Sequence, residues 1–190
     1  MVGQFEIAQG IKAIVYLADG IFQGYKWFMP LMVVFYFLRD RISIVSAVDL
    51  LKVMNRTLLA GMFLFLFSMI SHVLLAWYSD NVAERELILS FATGPHWYQF
   101  YHPIFSFGLL PMLMLVRSFR SNVLISVVIV LVWILSQELV IYLTNLNSPF
   151  AAMKPRFDKL ELASKLCLFL AIFVFMYMLD LRRKPAAVTR

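Results

Sequence analysis

Cysteine and charge are both scarce in this chain of 190 residues: there is one cysteine, Cys167, and 15% of the residues are charged. A lone cysteine excludes an intrachain disulfide and an iron–sulfur cluster held by cysteines of this chain alone. The shortage of charge excludes a soluble globular domain. Such domains carry about a quarter charged and about half apolar residues, whereas 62% of this chain is apolar. There is also no Gly-rich phosphate loop, no His-Glu-x-x-His and no nucleophile elbow, so the familiar motifs for phosphate cradling, zinc hydrolysis and acyl transfer are missing. No metal site is expected.

What is abundant is hydrocarbon. The mean hydropathy is +0.82, and the apolar residues cluster in runs of the length, about 20 residues, that crosses a bilayer core. A window of about 19 residues predicts five transmembrane helices at 13–38, 57–78, 98–117, 122–145 and 162–181. Backbone groups facing lipid must be satisfied within the segment, which is why each span should be helical. The expected fold is an all-α integral membrane protein: a four-helix antiparallel bundle plus one flanking helix, forming a single transmembrane domain over 1–190. No basic n-region or small-residue cleavage site opens the sequence, so the first span is expected to be retained. Pro30 is a candidate kink there, and Gly20 and Gly24 form a small-xxx-small pair that would admit another helix closely.

The net charge of +6 does not point to nucleic acid, because the basic residues fall mostly in short loops and in the tail, where they set topology and meet anionic lipid. Arg39, Arg41, Lys52 and Arg56, then Arg117 and Arg120, then Arg182, Arg183, Lys184 and Arg190 fall on one side of the five spans. Arg85, Lys154, Arg156 and Lys159 fall on the other. The positive-inside rule then places the N-terminus outside and the C-terminus in the cytoplasm, in a bacterial inner membrane.

Ionisable groups inside a span are expensive and need a reason. Counted along the helices at 1.5 Å per residue, Asp19, His72, His102 and Glu138 each lie about five to seven residues below the outer end of their span. Tyr98 precedes His102 by one turn, Tyr142 follows Glu138 by one turn, Gln137 adjoins it, and Ser68 lies one turn from His72. The expectation is a polar layer of Asp19, His72, Tyr98, His102 and Glu138. Histidine and carboxylate are suited to hydrogen-bond a quinone and to move its protons. Two depth-matched imidazoles, His72 and His102, also open a b-type haem alternative, although haem is not expected, since arginines to meet propionates are scarce at the outer side. The plainer alternative is structural pairing that locks helices together. For His96, in Gly94-Pro95-His96-Trp97-Tyr98, the plainer reading is an interfacial belt residue; for Lys26, a snorkelling amine or a partner of Asp19. The aromatic residues, 18 of them Phe, are assigned to packing and lipid contact.

Several stretches together resemble the C-terminal half of the polysulfide-reductase-type (NrfD-like) membrane subunit family, most closely the version in bacterial alternative complex III. Val53-Met54-Asn55-Arg56 followed by Leu58-Leu59-Ala60 resembles that family's N-M-x-K helix opening. Ala76-Trp77-Tyr78-Ser79-Asp80-Asn81 differs by one residue from its A-W-Y-S-G-N exit. Gly94-Pro95-His96-Trp97-Tyr98, Pro111 and Arg120-Ser121-Asn122 follow its G-x-Y-W, helix-interior proline and R-T-N. Ser126 through Leu146 is similar to its S-I-x-V helix ending V-I-I-V-T-S-L. The likeness spans about residues 10–150. It departs at His72, where the family commonly has Glu; at Gln137-Glu138, where it has E-R; and at Asp19, where a small residue is usual. The resemblance implies an integral-membrane subunit of a quinone-linked respiratory electron-transfer complex. Other membrane subunits and an iron–sulfur protein would be its partners. The family's full subunit has about twice as many helices, and its quinol site is attributed mainly to the half without a counterpart here. A purely structural assembly subunit with no redox role is the remaining alternative.

Overall fold

The computed structural model describes residues 2–38, 46–78, 82–95, 97–147 and 158–183. Arg39, Arg41, Ser79, Asn81, His96, Lys154, Arg156, Lys184 and Arg190, on which parts of the sequence reading fall, lie outside the described residues. The described residues are almost all helical, with no strand among them. Three helices are long and apolar enough to cross a membrane: α2 (Ala47–Tyr78), α7 (Val123–Asn147) and α8 (Lys159–Arg183). α1 (Val2–Phe37) is longer, but its middle carries Asp19, Gln23 and Lys26, and it runs unbroken through Pro30.

Helix starts follow capping chemistry. Ser46 Oγ accepts from the Asp49 N–H at 3.4 Å, Asn122 Oδ1 from Leu124 N–H at 2.9 Å, and Asp158 Oδ1 from Leu160 N–H at 2.9 Å. Each supplies an acceptor to a first-turn N–H that has no partner within its own helix. α2 therefore begins ten residues before the expected 57. Lys52 and Arg56, expected in a loop, lie inside it: Lys52 pairs with Asp49 at 3.5 Å, and Arg56 pairs with Asp180 of α8. The stretch expected as an acidic loop contains a short helix, α3 (Val82–Thr93), with no buried residue.

The expected third span is not one regular helix. It passes through α4 (Trp97–Pro103), a π-helical turn (Ile104–Leu109), α5 (Leu110–Met112) and a 3₁₀ turn (Leu113–Leu115). In the π register the Leu110 N–H reaches the Phe105 carbonyl. The next carbonyl, Ser106, would need the N–H of residue 111, which is proline and has none. Trp133 of α7 fills the gap, donating its indole N–H to that carbonyl at 2.5 Å. At the lower end, Arg120 in α6 (Arg117–Arg120) donates to the Met114 and Leu115 carbonyls at 2.6 and 2.9 Å.

Side-chain neighbours fix the helix directions. Tyr25 meets Asn55 and Phe22 meets Phe65, so α1 and α2 run antiparallel. Phe65 meets Phe107 while His72 lies by Gln99; Ser106 meets both Trp133 and Ser136 while His102 meets Ser136. Each pair of numbers runs in opposite senses. α8 runs parallel to α1, with Lys165 on Asp19, Leu168 against Gly20 and Phe169 against Gly24. The core joins α1, α2, the 104–109 turn and α7 through Phe22, Phe65, Phe107 and Trp133, with Phe22 stacked on Phe107 at 4.6 Å.

Candidate functional site

A cavity of about 580 Å³ opens between α1, α4, α7 and the start of α8. His102 reaches it from α4, Glu138 and Gln137 from α7, Gln23 and Lys26 from α1, and Asp158, Glu161 and Lys165 from α8, with Trp27, Val140, Ile141 and Leu162 as apolar wall. Four elements converge because Gln23 and Lys26 lie three apart on one face of α1, while the Trp133–Ser106 bond holds α7 against the π turn.

Three hydrogen-bonded groups surround the cavity. Lys26 Nζ donates to Gln137 Oε1 at 2.9 Å, which ties α1 to α7. Lys165 Nζ lies 2.6 Å from Asp19 Oδ2 and 2.5 Å from Glu161 Oε1, so one amine is held between two carboxylates. His102 Nε2 is 3.0 Å from Ser136 Oγ, and Ser136 is 3.3 Å from the buried Ser106 hydroxyl. Glu138 is exposed to the cavity and has no hydrogen-bond or ion-pair partner among the described residues. Glu138 and His102 line the same cavity, and a carboxylate and an imidazole are groups that can exchange protons with a bound molecule. Three carboxylates, Asp158, Glu161 and Glu138, and two amines, Lys26 and Lys165, line the cavity.

The five expected residues separate. His102 and Glu138 line this cavity, and Asp19 joins it one residue removed, through Lys165. His72 lines a different cavity, bounded by α2, α3 and α4. Tyr98 is buried, with its ring 6.4 Å from Trp97, and does not line the His102 cavity. The haem alternative needs His72 and His102 to face each other across one space. In this structure His72 and His102 line different cavities, and His102 is hydrogen-bonded to Ser136. Lys26 bonds Gln137 and Asp19 bonds Lys165, in place of the Asp19–Lys26 pairing considered from the sequence. Ser68 donates to the Phe65 carbonyl and not to His72. Lys165 was legible by the rule that exposed the others, being an ionisable residue inside the fifth expected span. Ser136, an ordinary serine in an apolar helix, carries no such signal.

A second polar group lies deep in the core. Tyr25 Oη donates to Asn55 Oδ1 at 2.7 Å, while Asn55 Nδ2 donates to the Arg120 carbonyl at 2.8 Å and to Ser126 Oγ at 3.0 Å. Asn55 and Ser126 are fully buried. Asn55, Arg120 and Ser126 all come from the stretches that carry the family resemblance, and here they fasten α1, α2 and α7 together. Compared with family models, with curated proteins and with solved structures, the chain matches none.

Proposed function

We propose that the chain is an integral-membrane subunit of a quinone-linked electron-transfer complex, and that the His102–Glu138 cavity is its proton-exchanging contact layer. The observation that carries the reading is Glu138, without a partner among the described residues, sharing a cavity with His102, whose imidazole leads inward to Ser136 and Ser106. An ionisable group inside a span is costly to keep, and proton traffic to a lipid-soluble carrier supplies a reason to keep it. Five crossings are part of the proposal: α1, α2, the 97–115 segment, α7 and α8, with α8 flanking the other four. Parallel packing of α8 on α1 is what three intervening crossings would produce. The N-terminus is then outside and the C-terminus cytoplasmic, in a bacterial inner membrane, with other membrane subunits and an iron–sulfur protein as partners and the NrfD-like likeness as the family reading.

Helix fastening is the competing reading, and the Asp19–Lys165 and Arg56–Asp180 pairs favour it for those residues. It does not account for Glu138, which fastens nothing among the described residues. The test is isolation of the chain from its native membrane in mild detergent. Co-purification with an iron–sulfur protein and quinol-linked activity is expected; isolation as a colourless single chain with no redox activity would contradict the proposal.

A further inference from the structure

The His102 ring lines the cavity and is tied to α7 through one of its two nitrogens. Nε2 lies 3.0 Å from Ser136 Oγ, and Nδ1 has no hydrogen-bond partner among the described residues. His102 and Ser106 stand four residues apart, across the start of the π turn, and both reach the same Ser136 hydroxyl. Neither serine lines the cavity, so any effect of theirs on a bound molecule passes through His102.

The hydroxyl protons can be followed one by one. Ser136 Oγ lies 3.0 Å from the Trp133 carbonyl, which can only accept, so the single Ser136 proton is directed there. Ser106 is fully buried, and Ser136 is the one partner of its hydroxyl among the described residues, so the Ser106 proton goes to Ser136 Oγ. A hydroxyl has one donor and two acceptor positions; the position still open on Ser136 is filled by an N–H from His102 Nε2. The reverse assignment, with Ser136 donating to His102, would set an oxygen lone pair against the Trp133 carbonyl. Trp133 orients both serines, since its indole N–H also holds the Ser106 carbonyl. We propose that Ser136 is a positioning residue that keeps neutral His102 protonated on Nε2, leaving Nδ1 as a bare acceptor, and that the molecule taken up by the cavity therefore presents an O–H or N–H donor. The hydrogen bond made by one ring nitrogen sets the state of the other, and ionised Glu138 is likewise an acceptor only. The inference rests on the proposed function in placing the bound molecule at His102.

The test is nitrogen NMR of the full chain in lipid bilayers, isotopically labelled at histidine and held above the titration range of imidazole. The chain has three histidines, and the His72→Gln, His96→Gln double variant assigns the His102 signals. One neutral tautomer is expected, with the proton on Nε2. Ser136→Ala is expected to give a mixture of the two tautomers, and Ser136→Thr, which keeps the hydroxyl, to restore the single one. Hexylphenol is expected to shift the Nδ1 resonance saturably, while its methyl ether, which lacks the donor, leaves it in place. A proton on Nδ1 in the unaltered chain would overturn the inference, even where a variant fails to fold, and would leave the proposed function standing. An unchanged tautomer in Ser136→Ala, or equal responses to phenol and ether, would overturn it as well. Isolation without an iron–sulfur partner or redox activity would contradict the proposed function and leave the tautomer as assigned.

Discussion

Lys165 and Asp19 meet at 2.6 Å across the α1–α8 interface, one residue from the glycine that lets those helices touch. Lys165 is the more buried partner, with 13% of its side chain exposed against 36% for Asp19, and Glu161 shares the same amine. Removing Lys165 strands Asp19, and removing Asp19 leaves the largely buried amine with the more exposed Glu161 alone. Asp19→Leu is expected to cost about 1–3 kcal/mol, below the roughly 3–5 of a fully buried pair because Asp19 keeps some access to solvent. Asp19→Leu with Lys165→Leu should recover much of it, since a matched apolar pair removes both desolvation penalties. Thermal unfolding of the four proteins of the double-mutant cycle checks this; equal loss in the single and double variants would show that the pair is not coupled.

Gly24 sets how closely α8 approaches. A methyl added there would overlap Cβ and the ring of Phe169, and one at Gly20 would come within 2.8 Å of Leu168, whereas Gly10 has open space. Gly24→Ala is expected to destabilise the protein by about 1–3 kcal/mol, the usual cost of overpacking, with Gly10→Ala within about 0.5 kcal/mol of the unaltered protein. Equal melting temperatures for the two variants would refute the contact.

The carbonyl of Ser106 depends on Trp133, because proline occupies position 111. Trp133→Phe keeps most of the aromatic volume and removes the indole N–H, leaving a buried acceptor unmatched at a cost of about 1–3 kcal/mol. Asn55→Leu strands the Tyr25 hydroxyl and the Arg120 carbonyl together and is expected to cost more than Trp133→Phe. Chemical denaturation in detergent ranks the two; the opposite order would mean that the Tyr25–Asn55–Ser126 group is not the principal tie.

Topology is checked by cysteine labelling in intact cells after Cys167 is replaced. A cysteine at the exposed position Glu84 on α3 should react with an impermeant probe, and one at position 187, outside the described residues, should not. The reverse pattern would turn the His102 cavity toward the cytoplasm.

Apolar run length located α7 and α8 within a few residues of their ends, because lipid-spanning helices are defined by composition. Charge misled the reading of α2: Lys52 and Arg56 look like loop residues, yet Asp49 and Asp180 supply counter-charges that let the helix start at Ala47. The segment 97–115, expected as one regular span, contains Pro103 and Pro111, and its π turn depends on Trp133 more than 20 residues away, which no local pattern carries. Depth along the helices brought His102 and Glu138 together. Depth does not fix direction around the helix axis, so His72, at a matched depth, faces α3 and α4 instead.

Glu138→Gln measured in the parent complex tests the central claim most directly. Gln keeps the shape and most hydrogen bonds of Glu but cannot take up a proton. The account predicts normal assembly in mild detergent with quinol-linked turnover reduced about tenfold or more, equivalent to roughly 1.4 kcal/mol in the barrier. Normal turnover in an assembled complex carrying Gln at this position would contradict it and leave the cavity a structural feature.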